Sequence, residues 1–383
     1  MKQRTFKILF AAGGTGGHLF PAIAVAEQLQ QMTEGHALIE FVGTADRIEA
    51  TIVPKHHYRF NAIPMAGLQK VLSLSTLKLP FNILRSILLT RKTLQRLQPD
   101  CVVCAGAYLS YPVGLAAAQM KIPLYLMESN AVPGKTILQL APRAKRLCLS
   151  FAESVQYFNE HDQRKAIITG NPIRASFGAA SMPMPAEARR LFGLAPDKPT
   201  LLCFGGSLGA RSINQAVEAE HTRLNAAGVQ ILWQTGKTFQ PSNQEHSSQA
   251  HSSTSAQTIV LPFIDNMAAA YTAADVVVCR AGATTIAELA SIGKAAVFVP
   301  FPQAANDHQT ANARALADAG AARMLRDDEL SAQLVDTVLE MLRVVQDPLQ
   351  AASLAERIRQ FAKPDAARRV AQMLLDDARW KKE

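Results

Sequence analysis

Short apolar runs alternate along this chain with amphipathic stretches of helical spacing. Candidate strands lie at 6–12, 37–42, 101–104, 123–127, 146–150 and 166–169, with helix-like segments such as 21–32 and 83–97 between them. Apolar runs separated by helices read as a parallel α/β sheet. The rhythm pauses at Gly170-Asn171-Pro172 and restarts at 200–204, followed by runs at 229–233, 258–261, 275–279 and 296–299. Each half opens with a buried strand, a glycine-rich turn and a helix. The pattern predicts an α/β fold of two Rossmann-like parallel-sheet domains with a cleft between them, ligand lying near the C-terminal strand ends. The polar, low-complexity stretch 240–257 reads as an exposed loop.

The first turn is Gly13-Gly14-Thr15-Gly16-Gly17-His18, between Lys7–Ala12 and a helix-like stretch opening at Pro21. Glycines there bring backbone N–H groups close to a ligand. The terminal histidine adds an ionisable group placed for acid–base chemistry. The turn fails the dinucleotide fingerprint, because the third glycine position is Leu19 and the second strand run ends in Gly43-Thr44 with no acid. A P-loop at Gly134-Lys135-Thr136 fails too, with Ser129 where glycine is required.

Three segments of the second half carry further chemistry. Gly205-Gly206-Ser207-Leu208-Gly209 offers backbone donors and a hydroxyl at a helix start, which suits a diphosphate. In 276–288 a strand exits into a small-residue turn, and Thr284 and Glu288 share one helix face. That carboxylate could accept from adjacent sugar hydroxyls; a glutamate complementing the helix dipole is the alternative. Asn306-Asp307-His308-Gln309 follows a strand end and suits a hydroxyl-rich ligand, with helix capping by Asn306 or Asp307 as the plainer reading.

Composition narrows the class. The 383 residues are 48% apolar and 19% charged, ordinary for a globular protein of one or two domains. Aromatic residues make up 6%, which argues against a nucleic-acid binder built on stacking. Five cysteines without a paired pattern suggest a reducing compartment. Cys101 and Cys104, three apart on a strand, point to opposite faces and cannot share a metal. The N-terminal apolar run is too short for a secretory signal, and no run reaches the roughly 20 residues of a spanning helix.

The net charge of +9 resides in residues 1–171, and 50–99 holds Lys55, Arg59, Lys70, Lys78, Arg85, Arg91, Lys92 and Arg96 with no acidic residue. Leucines and isoleucines interleave with them. Such a stretch is either an anionic-membrane contact or an ordinary helix with a solvated basic face. No motif supports nucleic acid.

Together the four loop segments, in order and spacing from Ile8 to about Asn312, resemble the MurG family of bacterial glycosyltransferases. That family transfers N-acetylglucosamine to lipid I, giving lipid II for peptidoglycan. The resemblance implies a GT-B fold, UDP-N-acetylglucosamine as donor, lipid I (undecaprenyl-diphosphate-linked muramyl pentapeptide) as acceptor, no cofactor and no obligatory metal. It implies an acceptor and membrane domain over 1–171, with a C-terminal helix at about 364–383 packing back onto it, and a UDP-sugar domain over 172–363. It places the first loop, with Thr15, Gly16, Gly17 and His18, at the reacting centre and the diphosphates. Asn130 would contact the donor sugar, and Arg174 and Ser207 would lie near the diphosphate. Ile264 would meet uracil through its backbone, Ala283, Thr284 and Thr285 would lie at the diphosphate, Glu288 would hold the ribose and Gln309 would read the sugar hydroxyls. His18 is then the expected base. A lipid-borne acceptor favours the membrane reading of residues around 70–92, on the cytoplasmic face of the inner membrane. A UDP-N-acetylglucosamine 2-epimerase or another lipid glycosyltransferase is the alternative enzyme, and a non-catalytic nucleotide-sugar binder the alternative outside enzymes. Ala107 and Tyr111 make one turn bulkier than the family's, the usual arginine-rich run after Gly67-Leu68 is missing, and 240–257 looks like an insertion.

Overall fold

The computed structural model describes residues 4–65, 79–174, 177, 182–206, 209–239 and 257–380. The chain divides into two compact units, Met1–Arg174 with Lys363–Glu383, and Ala175–Ala362. The stretches at 66–78 and 240–256, and with them the segment after Gly67-Leu68 and most of the insertion considered above, lie outside the described residues.

The first unit carries β1 (Phe6–Ala11), β2 (Ala37–Gly43), β3 (Arg59–Ala62), β4 (Cys101–Cys104), β5 (Leu124–Glu128), β6 (Arg146–Leu149) and β7 (Ala166–Ile168). They form one parallel sheet in the order β3-β2-β1-β4-β5-β6-β7. Both faces are covered, so the central strands are apolar at most positions, Lys7 near the start of β1 being a polar exception. Phe6, Ile8 and Phe10 enter one core cluster, and Leu9 and Ala11 enter the other. Cys101 and Cys104 fall on opposite faces for the same reason. Burial pushes both thiols up, Cys104 to about 12, so neither is reactive near neutrality.

The helix Ala366–Asp377 returns to this unit and packs on the helix Gly16–Met32. Val370, Ala371, Leu374 and Leu375 share a cluster with Ile23 and Val25. Tyr125 donates from its hydroxyl to Asp377 at 2.9 Å, and the Trp380 indole donates to the Arg4 carbonyl at 2.8 Å.

Strand β3 has no counterpart in the periodicity, because Arg59-Phe60-Asn61-Ala62 is an edge strand, half polar and exposed at both ends. Its polar residues serve Glu40, a buried carboxylate in β2. Asn61 Nδ2 donates to Glu40 at 2.9 Å, Arg96 grips it with both guanidinium nitrogens at 2.8 and 2.5 Å, and Arg59 lies 3.9 Å away. Burial alone would raise the Glu40 pKa, but Arg96 and Asn61, with Arg59, outweigh it and hold it below its ordinary 4.5. A depressed carboxylate contributes stability that is present above its unfolded pKa and lost as pH falls through the folded one. Glu40→Gln should therefore lower stability at pH 7 by about 1 kcal/mol, solvent around Arg96 limiting the effect. The difference from the parent should shrink below pH 4.5. Urea unfolding midpoints at several pH values check this.

The second unit carries β8 (Thr200–Phe204), β9 (Gln230–Gln234), β10 (Thr258–Leu261), β11 (Val276–Cys279), β12 (Ala295–Phe298) and β13 (Arg323–Met324). The sheet is parallel in the order β10-β9-β8-β11-β12-β13. β13, two residues long, is too short to show a period. In each sheet the strand order reverses once, at β1/β4 and at β8/β11. Ala11 pairs in register with Cys104, and Phe204 with Cys279, so the loops after each pair leave side by side. Such reversal points are where doubly wound sheets bind ligands. No helix among the described residues is long and apolar enough to cross a membrane.

Candidate functional site

In the first unit the helix starts at Gly16, five residues before the Pro21 expected from sequence. Proline is favoured in a first turn, which is why Pro21 reads as a start; here it sits inside the helix, where it simply cannot donate to Gly17. Gly16, Gly17 and His18 thus form the first helical turn, with Thr15 as its extended cap residue. Thr15 makes no side-chain cap; its Oγ1 lies 3.1 Å from His18 Nδ1. That hydrogen bond orients the ring, and a hydroxyl, able to donate or accept, serves either tautomer.

The turn after β4 abuts this ring. A Cβ on Gly106 would lie 2.8 Å from His18 Cδ2 and 3.0 Å from Nε2, and Gly106 has φ +85°. Glycine is required there on both counts. Ala107 follows at φ +58°, a left-handed conformation costing an alanine about 1–2 kcal/mol. The bulkier turn therefore keeps a glycine-like path, and Tyr111 packs against the core on one sheet face. Ser110 Oγ donates to the carbonyls of Gly106 and, at 3.4 Å, Ala11, joining the β1 and β4 exits.

Two carboxylates missed from sequence organise the remaining loops. Glu128, at the end of β5, accepts from the backbone N–H groups of Asn130 and Gly134, both at 2.8 Å, and from the Asn130 amide at 3.2 Å. Burial raises its pKa in spite of these donors. Asn130 is thereby fixed at the mouth of β5. Glu49 holds the first glycine turn, as taken up below. The Arg174 guanidinium stacks over the Phe20 ring at 4.6 Å, and a Cβ on Gly16 would touch that same ring at 3.0 Å. Arg174 therefore sits beside the first loop, within its own unit.

In the second unit Gly206 and Gly209 adopt φ of +91° and +80°. A Cβ on Gly209 would lie 2.1 Å from the Thr235 carbonyl, so only glycine fits. The helix begins at Arg211, after the turn has ended. Ser207 lies outside the described residues. Buried Gln234 donates to the Gly206 carbonyl at 3.1 Å and accepts from Ile264 N–H at 2.8 Å, linking the glycine turn to the expected uracil loop. The Ile264 amide is thus engaged by the protein itself.

Ala283, Thr284 and Thr285 form the first turn of the helix Ala283–Ile292, capped by extended Gly282. Glu288 lies in its second turn, buried, and accepts from the Tyr271 hydroxyl at 2.9 Å. Arg280, unremarked in the sequence, ties this turn together. It donates to the carbonyls of Val299 and Pro300 at 3.2 and 3.0 Å, to Asp327 at 2.5 Å and to Ser212 at 2.8 Å. Asn306 and Asp307 both take left-handed φ, 54° and 52°, and neither side chain caps the helix that follows. Such outliers cluster at ligand sites. They lead into Gln309, whose Oε1 accepts from Phe301 N–H at 2.9 Å.

Comparison with known proteins supplies the family. Residues 8–148 match the N-terminal domain of glycosyltransferase family 28, and residues 200–370 its C-terminal domain. The UDP-N-acetylglucosamine–N-acetylmuramyl-(pentapeptide) pyrophosphoryl-undecaprenol N-acetylglucosamine transferase of Prosthecochloris aestuarii is 40% identical, over 94% of this chain and 96% of its own. The protein of the same name from Burkholderia thailandensis is 38% identical, over 96% and 95%. The crystal structure of MurG from Acinetobacter baumannii superposes with a TM-score of 0.70 at 31% identity, covering 97% of this chain and 99% of that one. A UDP-GlcNAc 2-epimerase from Neisseria meningitidis, at 13% identity and a TM-score of 0.65, shares the fold alone. With both domains matched in order and relatives aligned end to end, the chain belongs to glycosyltransferase family 28, among its N-acetylmuramyl-(pentapeptide) pyrophosphoryl-undecaprenol N-acetylglucosamine transferases.

Proposed function

We propose that this enzyme transfers N-acetylglucosamine from UDP-N-acetylglucosamine to the muramyl 4-hydroxyl of lipid I, with inversion at the anomeric carbon. The end-to-end likeness to transferases of that name carries the reading. The acceptor oxygen forms a bond to the sugar C1 as the bond from C1 to the β-phosphate oxygen breaks, and UDP departs. His18 takes the hydroxyl proton. In this reading the helix start at Ala283 and the donors of Gly205 and Gly206 stabilise the charge that builds on the diphosphate, and Arg174 supplies a cation for it. Glu288 holds the ribose, Ile264 the uracil, and Asn130 and Gln309 the sugar.

We further infer that the first unit rests on an anionic bilayer. On the helix Leu79–Leu97, exposed Phe81, Leu84 and Leu88 recur at helical spacing, with exposed Arg85, Arg91 and Lys92 beside them. Arg59 and Arg96 belong to Glu40 instead. Lys70 and Lys78 lie outside the described residues.

The test is a UDP-release assay with a lipid I analogue, followed by product analysis. Acceptor-dependent release with the sugar attached to the analogue supports the reading; free epimerised sugar, or no release, overturns it. On phosphatidylglycerol vesicles, reversing Arg85, Arg91 and Lys92 to glutamate should weaken binding roughly 100-fold or more at low salt, at about 1 kcal/mol per basic residue. Salt-insensitive binding unaffected by the reversal would remove the electrostatic part.

A further inference from the structure

Glu49 lies in the first turn of the helix Ile48–Lys55 and is fully buried. A dinucleotide-binding sheet closes its second strand with an acid that holds a ribose. Here β2 ends in Gly43 and Thr44, and Glu49 turns back toward that strand end. Its Oε1 accepts from the Thr44 N–H and hydroxyl, both at 2.9 Å. Its Oε2 accepts from the Gly14 N–H at 2.9 Å. The carboxylate also fills the space side chains would need at two glycines. A Cβ on Gly13 would lie 2.3 Å from Glu49 Cδ, and one on Gly43 would lie 2.4 Å from Cγ. A buried carboxylate is retained only where donors satisfy it, and three do so here. Gly14 N–H, the kind of donor a glycine turn usually offers to a phosphate, is therefore committed to the protein itself.

We propose that Glu49 is a positioning residue for the transfer reaction, locking the Gly13–Thr15 turn so that Thr15 holds the His18 ring in one direction. The proposal rests on the role given to His18 above. Gly14, at φ +79°, leads directly into Thr15, and Thr15 Oγ1 reaches His18 Nδ1. Releasing Gly14 loosens Thr15, which bonds the ring. A misplacement of about 1 Å can cost roughly 100-fold in rate.

Glu49→Gln keeps the size of the side chain. Its oxygen can still serve Thr44, but its NH2 then meets the Gly14 N–H, so the bond to the turn is the one lost. In the UDP-release assay kcat should fall about 10- to 100-fold, with KM for UDP-N-acetylglucosamine changed less than about twofold. In a His18→Ala background the same substitution should change residual turnover less than about twofold. The imidazole 15N shifts of His18 should move as its Nδ1 hydrogen bond to Thr15 weakens. Glu49→Asp, which keeps the charge but is too short to span both loops, should reproduce the pattern if the glutamine variant folds poorly. Turnover within twofold of the parent, or an equal fold-loss with and without His18, would overturn the proposal. If the parent itself fails to transfer sugar while the His18 shifts still respond to Glu49→Gln, the transfer reading falls and the hold on the ring stands.

Discussion

Replacing His18 with alanine should lower turnover about 100- to 10,000-fold, the span of a lost general base. The affinity for UDP-N-acetylglucosamine should change less than about twofold. The sugar hydroxyl is a weak nucleophile while it keeps its proton, so attack on C1 depends on a group that takes that proton as the bond forms. In the first glycine turn, His18 is the ionisable side chain, and its Nδ1 is already engaged by Thr15 at 3.1 Å. The ring edge bearing Nε2 lies against Gly106, where no side chain intervenes. Donor binding is expected to survive because Ile264 and Glu288, the residues assigned to the nucleotide, belong to the other unit. Turnover with a lipid I analogue and calorimetric binding of the donor separate the two effects. Near-normal turnover in the variant would end the assignment of His18 as base, and an equal loss of donor affinity would make it a binding residue.

Much of this was legible in the chain, for physical reasons. Strands buried on both faces, such as Val276–Cys279 and Cys101–Cys104, must be apolar on every residue, and a continuous apolar run needs no partner to be seen. The edge strand Arg59–Ala62 and the two-residue β13 carry no such run. Glycine turns were legible because glycine is the residue that tolerates φ near +80° or a backbone 2–3 Å from where a Cβ would sit. What those turns are fastened to was not legible. Glu49 and Glu128 act on backbone N–H groups, and a backbone group leaves no mark in a sequence. Gln234 joins Gly206 to Ile264, and Arg280 reaches Asp327, partners that only the fold brings together. The same limit explains the misplaced helix start: Pro21 is a valid opening residue, and only the path of Gly14 and Thr15 puts the first turn at Gly16.

Glu288→Ala should raise KM for UDP-N-acetylglucosamine roughly 100-fold or more and lower kcat much less. A carboxylate offers about four lone-pair sites. The Tyr271 hydroxyl takes one on Oε2 and, its ring packed at a tilt against Phe177 at 5.7 Å and Phe204 at 5.9 Å, holds the group still. A carboxylate held in this way suits the two neighbouring hydroxyls of a ribose. Hydrogen bonds to a charged group contribute about 1.5–3 kcal/mol each, so the loss of two spans two or more factors of ten. Glu288→Gln keeps one acceptor and should cost less, about tenfold. Tyr271→Phe removes one bond but keeps the ring packing, and should change KM only a few-fold. The competing reading, a glutamate complementing the helix dipole, makes a different demand. Glu288 lies in the second turn of Ala283–Ile292, and the first turn holds no acid, while the dipole's influence fades within that first turn. If the dipole were its purpose, Glu288→Gln would shift thermal stability by a few tenths of a kcal/mol and leave KM where it was. A KM that rises in the order Tyr271→Phe, Glu288→Gln, Glu288→Ala, at nearly constant kcat, is the signature of a ribose held by this carboxylate; a flat series assigns Glu288 to the fold alone.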